Sequence, residues 1–257
     1  MIISDKTWNK YIKLLSEVNE KASQEMFRYL ATHEWYLNKR TQQAAIDFAF
    51  ALSNKYGEAA AEAAAEFYDL IAAEWADKVL APAIPATPPD YGEVAKTVNG
   101  ILKSSKSEEL IANAIGRLVK QTGQDTTLQN ALRDGAEWAW IPRGDTCIFC
   151  LTLASRGWQR ASKKALRNGH AEHIHSNCDC AYAVRFSDRD GVQGYDPDLY
   201  REIWDSAEGK NSEEKLNYLR RKAYAANKER INAQKRSAYA KRKELNAPSA
   251  EEMNIGN

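Results

Sequence analysis

Glycine and proline are scarce in this chain, 13 and 7 of 257 residues. Helix breakers are therefore few. Ala, Lys, Glu and Gln, which lose little rotamer freedom in a helix, are plentiful, so a mainly α fold is expected. No apolar run approaches the ~20 residues of a membrane-spanning helix. The opening Met-Ile-Ile-Ser-Asp-Lys-Thr-Trp turns polar too soon for a secretory signal. The expectation is a protein made and kept in a cytosol unless something else carries it out. Catalytic signatures are missing too: there is no His-Glu-x-x-His, no Gly-x-Ser-x-Gly elbow and no Walker-type glycine loop.

Hydrophobic residues make up 44% of the chain, enough for a packed core. The net charge of +1 hides an asymmetry: residues 209–245 hold 12 Lys/Arg against 4 Glu, a local +8, which leaves −7 for the rest. A basic tail on an acidic body is the result.

Apolar residues between Thr7 and Leu37 (Trp8, Ile12, Leu15, Ala22, Met26, Tyr29, Leu30) fall three, four or seven apart, as on one face of a helix. Thr41 is an N-cap candidate for the next helix. Asn54-Lys-Tyr-Gly57 is expected to end or bend it, and the alanine-rich run from Glu58 carries helix on to about Leu80. This is the expected N-terminal helical bundle, residues 1–80. Four prolines within Pro82–Pro89 remove the backbone donors that helix or sheet needs, so 81–90 reads as a linker and a domain boundary.

The second unit, residues 91–208, is expected to begin with helices at 91–104 and 106–122, a turn near Gly123 and a helix over 127–139. The texture then changes to Gly, Pro, His and Cys with short alternating stretches such as Ala181–Phe186. This reads as an α+β unit with few short strands, organised around a metal. Gly191–Pro197 is a turn, and a helix through Trp204 closes the unit. Residues 209–257 form the expected C-terminal arm, a long basic helix over 212–245.

All four cysteines lie in one window, as Cys147-x-x-Cys150 and Cys178-x-Cys180. Close pairing under reducing conditions favours a metal over disulfides. A Cys-x-x-Cys turn presents two thiolates to one zinc ion. The second group, His175-x-x-Cys178-x-Cys180, follows after 24 residues, which gives five candidates for four places. The preferred set is Cys147, Cys150, His175 and one of Cys178 or Cys180. In the alternative both later cysteines bind and His175 supports them from outside. His170 and His173 could replace His175, but His-Ala-Glu-His reads more simply as a solvated loop. His33 reads as an ordinary packed or surface histidine. His170-Ala-Glu172 has the His-x-Glu of zinc deaminases, but their Pro-Cys-x-x-Cys follows that element, and here the Cys-x-x-Cys comes first. A sphere closed by four protein ligands is the structural type, so no enzyme is expected.

The stretch from Trp138, with Pro142-x-Gly144-x-x-Cys147-x-x-Cys150 leading into Leu153-Ala-Ser-Arg-Gly157, resembles phage minor head proteins related to the F protein of phage Mu. His175-Ser-Asn-Cys-Asp-Cys180 and Gly194-Tyr-Asp-Pro197 extend the likeness. Tyr56-Gly-Glu-Ala-Ala-Ala and Phe67-Tyr-Asp69 add a looser match, for a span of about residues 45–205. The protease fusions and toxin-like domains of some relatives are not recognisable here. The resemblance implies a low-copy structural protein of the virion head, assembled in the host cytoplasm with a structural zinc. Its implied partners are the portal, scaffold or major capsid protein, with packaged DNA a further partner for the basic helix. Two rivals follow from the residues themselves. One is a zinc-dependent nuclease or hydrolase. The other is a nucleic-acid-binding zinc protein that uses the basic tail together with Arg156, Arg160, Lys163, Lys164 and Arg167.

Overall fold

The computed structural model describes residues 1–105, 107–142, 147–163, 166 and 180–245, with backbone alone at 231, 234, 235 and 238–245. Its elements are β1 (Ile2–Ile3), α1 (Asp5–Thr32), α2 (Lys39–Trp75), α3 (Tyr91–Ser104), α4 (Glu108–Asp134) and β2 (Glu137–Ile141). After these come α5 (Ile148–Ala154), β3 (Gln159–Arg160), β4 (Ala181–Arg185), β5 (Gly191–Val192), α6 (Pro197–Asp205) and α7 (Ser212–Leu245). The protein is mainly helical with few short strands, as its composition implied. Two compact units divide the chain, Met1–Glu202 and Ile203–Asn257.

In the first unit α4 is the hub, with α1, α2, α3 and β4 packed on it. Its buried residues lie all round the helix, from Ile111, Ile115 and Leu118 to Gln124, Thr127 and Asn130. A helix covered on every side belongs at the centre of a core. Ser4 starts α1, its Oγ accepting from Thr7 N–H at 3.2 Å. The expected face of α1 is the buried one, with Trp8, Ile12, Leu15, Ala22, Met26 and Leu30 all inside.

Four helix boundaries differ from expectation. Asn38, not Thr41, caps α2: its Oδ1 accepts from Arg40 N–H at 2.9 Å and Thr41 N–H at 3.1 Å. Thr41 answers by accepting from Asn38 N–H at 3.2 Å, which completes a reciprocal cap. Second, α2 runs unbroken through Gly57, because that glycine makes room for a neighbour: a Cβ there would meet Pro88 at 3.0 Å. Third, α4 passes straight through Gly123, where a Cβ would lie 3.2 Å from the Ala60 carbonyl oxygen. Both glycines mark close packing instead of turns. α4 ends at Gly135 in the left-handed region, φ 72°, and the residues from Glu137, read as helix to 139, form β2.

The proline-rich stretch is a strap, not a boundary between compact units. Ala81–Ala86 lies along α4, whose polar side chains meet its backbone. Asn130 Oδ1 accepts from Ile84 N–H at 2.9 Å and Thr126 Oγ1 from Ala86 N–H at 2.9 Å. Arg133 donates to the carbonyls of Ala81 and Pro82, both at 2.8 Å. From α2, Asp69 accepts from Ala83 N–H at 2.8 Å. Proline prevents regular structure, but the remaining backbone groups still need partners and find them on the helices. α1 and α2, from the expected 1–80 region, pack directly on α4 within one unit.

β2 is the middle strand of an antiparallel sheet in the order β3-β2-β4, and β1 pairs in parallel with β5. In the second unit, Asn211 Oδ1 accepts from Glu214 N–H at 2.9 Å at the start of α7, and the Lys215 ammonium lies 5.7 Å from the Trp204 ring centre. No helix among the described residues is long and apolar enough to cross a membrane.

Candidate metal centre

β2 reads Glu-Trp-Ala-Trp-Ile and is buried on both faces from Trp138 onward. It pairs with β4 from Glu137↔Arg185 to Ile141↔Ala181. Tyr182 packs between the two tryptophans, its ring centre 4.5 Å from that of Trp138 and 5.0 Å from that of Trp140. The register has a consequence for the cysteines. The chain leaves β2 at Ile141 and re-enters the sheet at Ala181, directly across from it. Cys147, six residues past the exit, and Cys180, one residue before the re-entry, thus belong to segments that meet the sheet at the same end.

Cys147 is the N-cap of α5, and its Sγ accepts from Cys150 N–H at 3.4 Å. Cys150 and Cys180 are buried, 1% and 2% exposed, and Cys147 is half-buried. α5 stops within two turns. Ser155 N–H bonds back to Leu151 O at 3.0 Å, and Gly157, at φ 68°, turns the chain away. Tyr195 OH then donates to Ala154 O at 2.8 Å, tying the end of α5 to the turn before α6.

Burial pushes the Tyr182 hydroxyl well above the ordinary tyrosine pKa; the Asp125 and Cys150 charges add to that rise and Arg156 opposes it. Tyr200 is raised by burial first and then by Cys180 and Asp196. Both phenols stay protonated at neutral pH.

Of the five candidate ligands, Cys147, Cys150 and Cys180 fall within the described residues. His175 and Cys178 lie outside them, as do His170, His173, Lys164 and Arg167. Among the described residues no three His, Cys, Asp or Glu side chains gather as a group able to hold a metal ion. Arg156, Arg160 and Lys163 are exposed. His33 is an ordinary surface histidine that caps the end of α1, with Nδ1 2.8 Å from Tyr29 O and its ring stacked on Tyr29.

One residue next to the cysteines escaped the sequence reading. Gln124, fully buried on α4, accepts from Tyr182 N–H at 2.9 Å and donates to Cys180 O at 3.5 Å. Its signal was a polar run, Gln121-Thr-Gly-Gln-Asp-Thr-Thr127, flanked by apolar residues in helical register; Gly123 within that run suggested a turn.

The family model of the VG15 protein matches residues 2–207. The chain belongs to the VG15 protein family. This is a viral protein family, and membership fits a phage protein. The match covers nearly all of the first unit and stops short of α7. No curated protein and no solved structure matches the chain.

Proposed function

We propose that this VG15-family protein is a non-catalytic minor head protein of a tailed bacteriophage, similar to the minor head proteins related to the phage Mu F protein. It acts during head assembly near the portal or inner shell, and its cysteine segment holds one structural zinc. The observation that supports the reading is the β2–β4 register in a viral family member: Ile141, six residues before Cys147, pairs with Ala181, the residue after Cys180.

The donor chemistry fits zinc. Cys147 and Cys150 are spaced as a two-thiolate turn, with a backbone N–H already on the first sulfur. Cys180 enters the same end of the sheet as a buried thiol. His175 and Cys178 supply the remaining candidates. Zinc in such a closed sphere contributes folding energy, stapling a loop-rich segment whose own core is small. The chain's residues do the rest: Gly157 turns the chain after α5, and Trp138 and Trp140 pack against Tyr182 in the sheet.

The basic helix α7 is the natural contact for a portal, scaffold or major capsid partner, or for packaged DNA. Its exposed Arg220, Arg221, Lys222, Lys228 and Arg230 also support a second reading, a nucleic-acid-binding zinc protein. Mass spectrometry of purified procapsids and virions tests the proposal, with the chain expected in both at low copy number. Its absence from both particles would overturn the head-protein reading. A zinc-free protein from metal-replete expression would overturn the metal.

A further inference from the structure

We propose that Gln124 is a positioning residue for the cysteine segment, fixing Cys180 against the central helix. The proposal rests on the zinc reading above. Among the described residues β4 is an edge strand of its sheet, so the backbone groups on its outer side meet no described strand. Gln124 meets two of them at once: Oε1 takes the N–H of Tyr182 and Nε2 gives to the carbonyl of Cys180. An amide side chain carries a donor and an acceptor side by side and can replace one step of a missing strand.

Geometry makes this more than packing. Gln124 sits on the hub helix with no exposure of its own. Its two bonds bracket Ala181, the first residue of β4, which is held from the other side by its pairing with Ile141. The Cys180 carbonyl is thus met from α4, and the next residue, Ala181, is paired to β2. A ligand already in place loses less freedom on binding. Side chains that orient metal ligands from outside typically matter 10- to 100-fold in metal affinity.

The test uses the full chain and zinc alone, with affinity read by competition against a chromophoric chelator and amide exchange read at Tyr182. Q124M keeps the length and removes both bonds, whereas Q124E keeps the acceptor and removes the donor. T126V is the matched control: Thr126 is equally buried on the same helix, but it accepts from Ala86 N–H on the strap. The expected result is zinc affinity about 10- to 100-fold lower in Q124M, a smaller loss in Q124E, faster exchange at Tyr182 in Q124M, and unchanged affinity in T126V. Zinc held as tightly by Q124M as by the wild type would overturn the inference and leave the zinc reading standing. An equal loss in T126V would also overturn it, since general loosening would then suffice. Should Q124M fail to fold, wild-type affinity in Q124E does the same. A wild-type chain that binds no zinc would overturn the zinc reading first, and this inference with it.

Discussion

Asn130 and Ile84 exchange two hydrogen bonds across the strap: Asn130 Oδ1 accepts from Ile84 N–H and Nδ2 donates to Ile84 O, each at 2.9 Å. Gln129 also reaches that carbonyl, at 2.6 Å, but no other side chain among the described residues replaces the bond to the N–H. Asn130→Ala leaves that donor unmet beside a small void, a loss of about 2 kcal/mol. The urea midpoint should fall, and protease cleavage between residues 81 and 90 should quicken. Wild-type values on both measures would show that the strap is merely laid over α4.

Asp134 gives stability a pH dependence with a definite sign. Burial alone would raise its pKa, but hydrogen bonds from Arg133 and Tyr68 outweigh burial and hold it below the ordinary 3.8. The Tyr68 hydroxyl donates to it at 2.8 Å and the Arg133 guanidinium at 2.7 Å. A depressed folded-state pKa means stability that is fully present above the ordinary value and lost as pH falls through the lower folded value. Asp134→Asn should cost about 1–3 kcal/mol at pH 7, and its deficit relative to wild type should shrink below about pH 4. Urea titrations of both proteins across that range check it; a deficit independent of pH would contradict the assignment.

Gly157 ends the cysteine helix at φ 68°, a conformation that costs an L-residue about 1–2 kcal/mol and a β-branched one more. Gly157→Val should lower the melting temperature and weaken zinc retention, while Gly157→Asn, which tolerates the left-handed region, should do less of both. Equal effects of Val and Asn would point to the space beside Pro197, 3.4 Å from a Cβ at this position, instead of the backbone.

Cys147→Ser separates capping from ligation. Serine is a good N-cap, so the start of α5 survives the change while the candidate thiolate is lost. Bound zinc should fall, by native mass spectrometry, from one ion per chain to none. Amide exchange should rise first in α5 and β4, with α1 and α2 keeping their protection through α4. Stripping zinc from the wild type with a strong chelator should reproduce that pattern. An exchange map identical to the zinc-loaded protein would remove the metal from the folding argument.

The buried face of α1 was legible because apolar period and burial agree at most turns from Trp8 to Leu30, the polar Asn19 being the exception. The starts of α3 and α7 were legible because Asp90 and the polar Gly209–Asn211 stretch punctuate the chain. Gly57 and Gly123 misled because glycine serves close helix packing as readily as turns, and one sequence cannot separate the two uses. The strap misled for a related reason. Proline excludes regular structure, yet whether an irregular segment docks depends on Thr126, Asn130 and Arg133, some 40 to 50 residues away. The cysteine pairs stood out by spacing alone; the glutamine that holds one of them did not, since long-range pairing leaves no local mark.

α7 is the element whose role sequence and fold constrain together. The family match ends at residue 207, and a separate compact unit begins at Ile203. Along the helix Tyr224, Ile231, Ala238 and Leu245 recur by sevens, with Lys228, Lys235 and Arg242 in the neighbouring places. A self-sufficient coiled coil needs apolar residues at both a and d, so this seam is too thin to hold a dimer by itself. If α7 is the proposed interaction arm, the local charge of +8 over 209–245 calls for an acidic partner. Deleting residues 223–257 keeps buried Leu219 and the Lys215–Trp204 contact, so melting temperature and zinc content should be unchanged. Incorporation into procapsids should nevertheless collapse. A full-length chain with Arg220, Arg221, Lys222, Lys228 and Arg230 all changed to Gln should fail in the same way if charge is the recognised feature. Normal incorporation of both variants would refute the arm. Were duplex DNA the partner, binding by the isolated protein would fall with salt at a log–log slope of about −0.9 per phosphate contacted. An acidic protein partner would leave DNA affinity negligible at physiological salt while incorporation remained sensitive to the five substitutions.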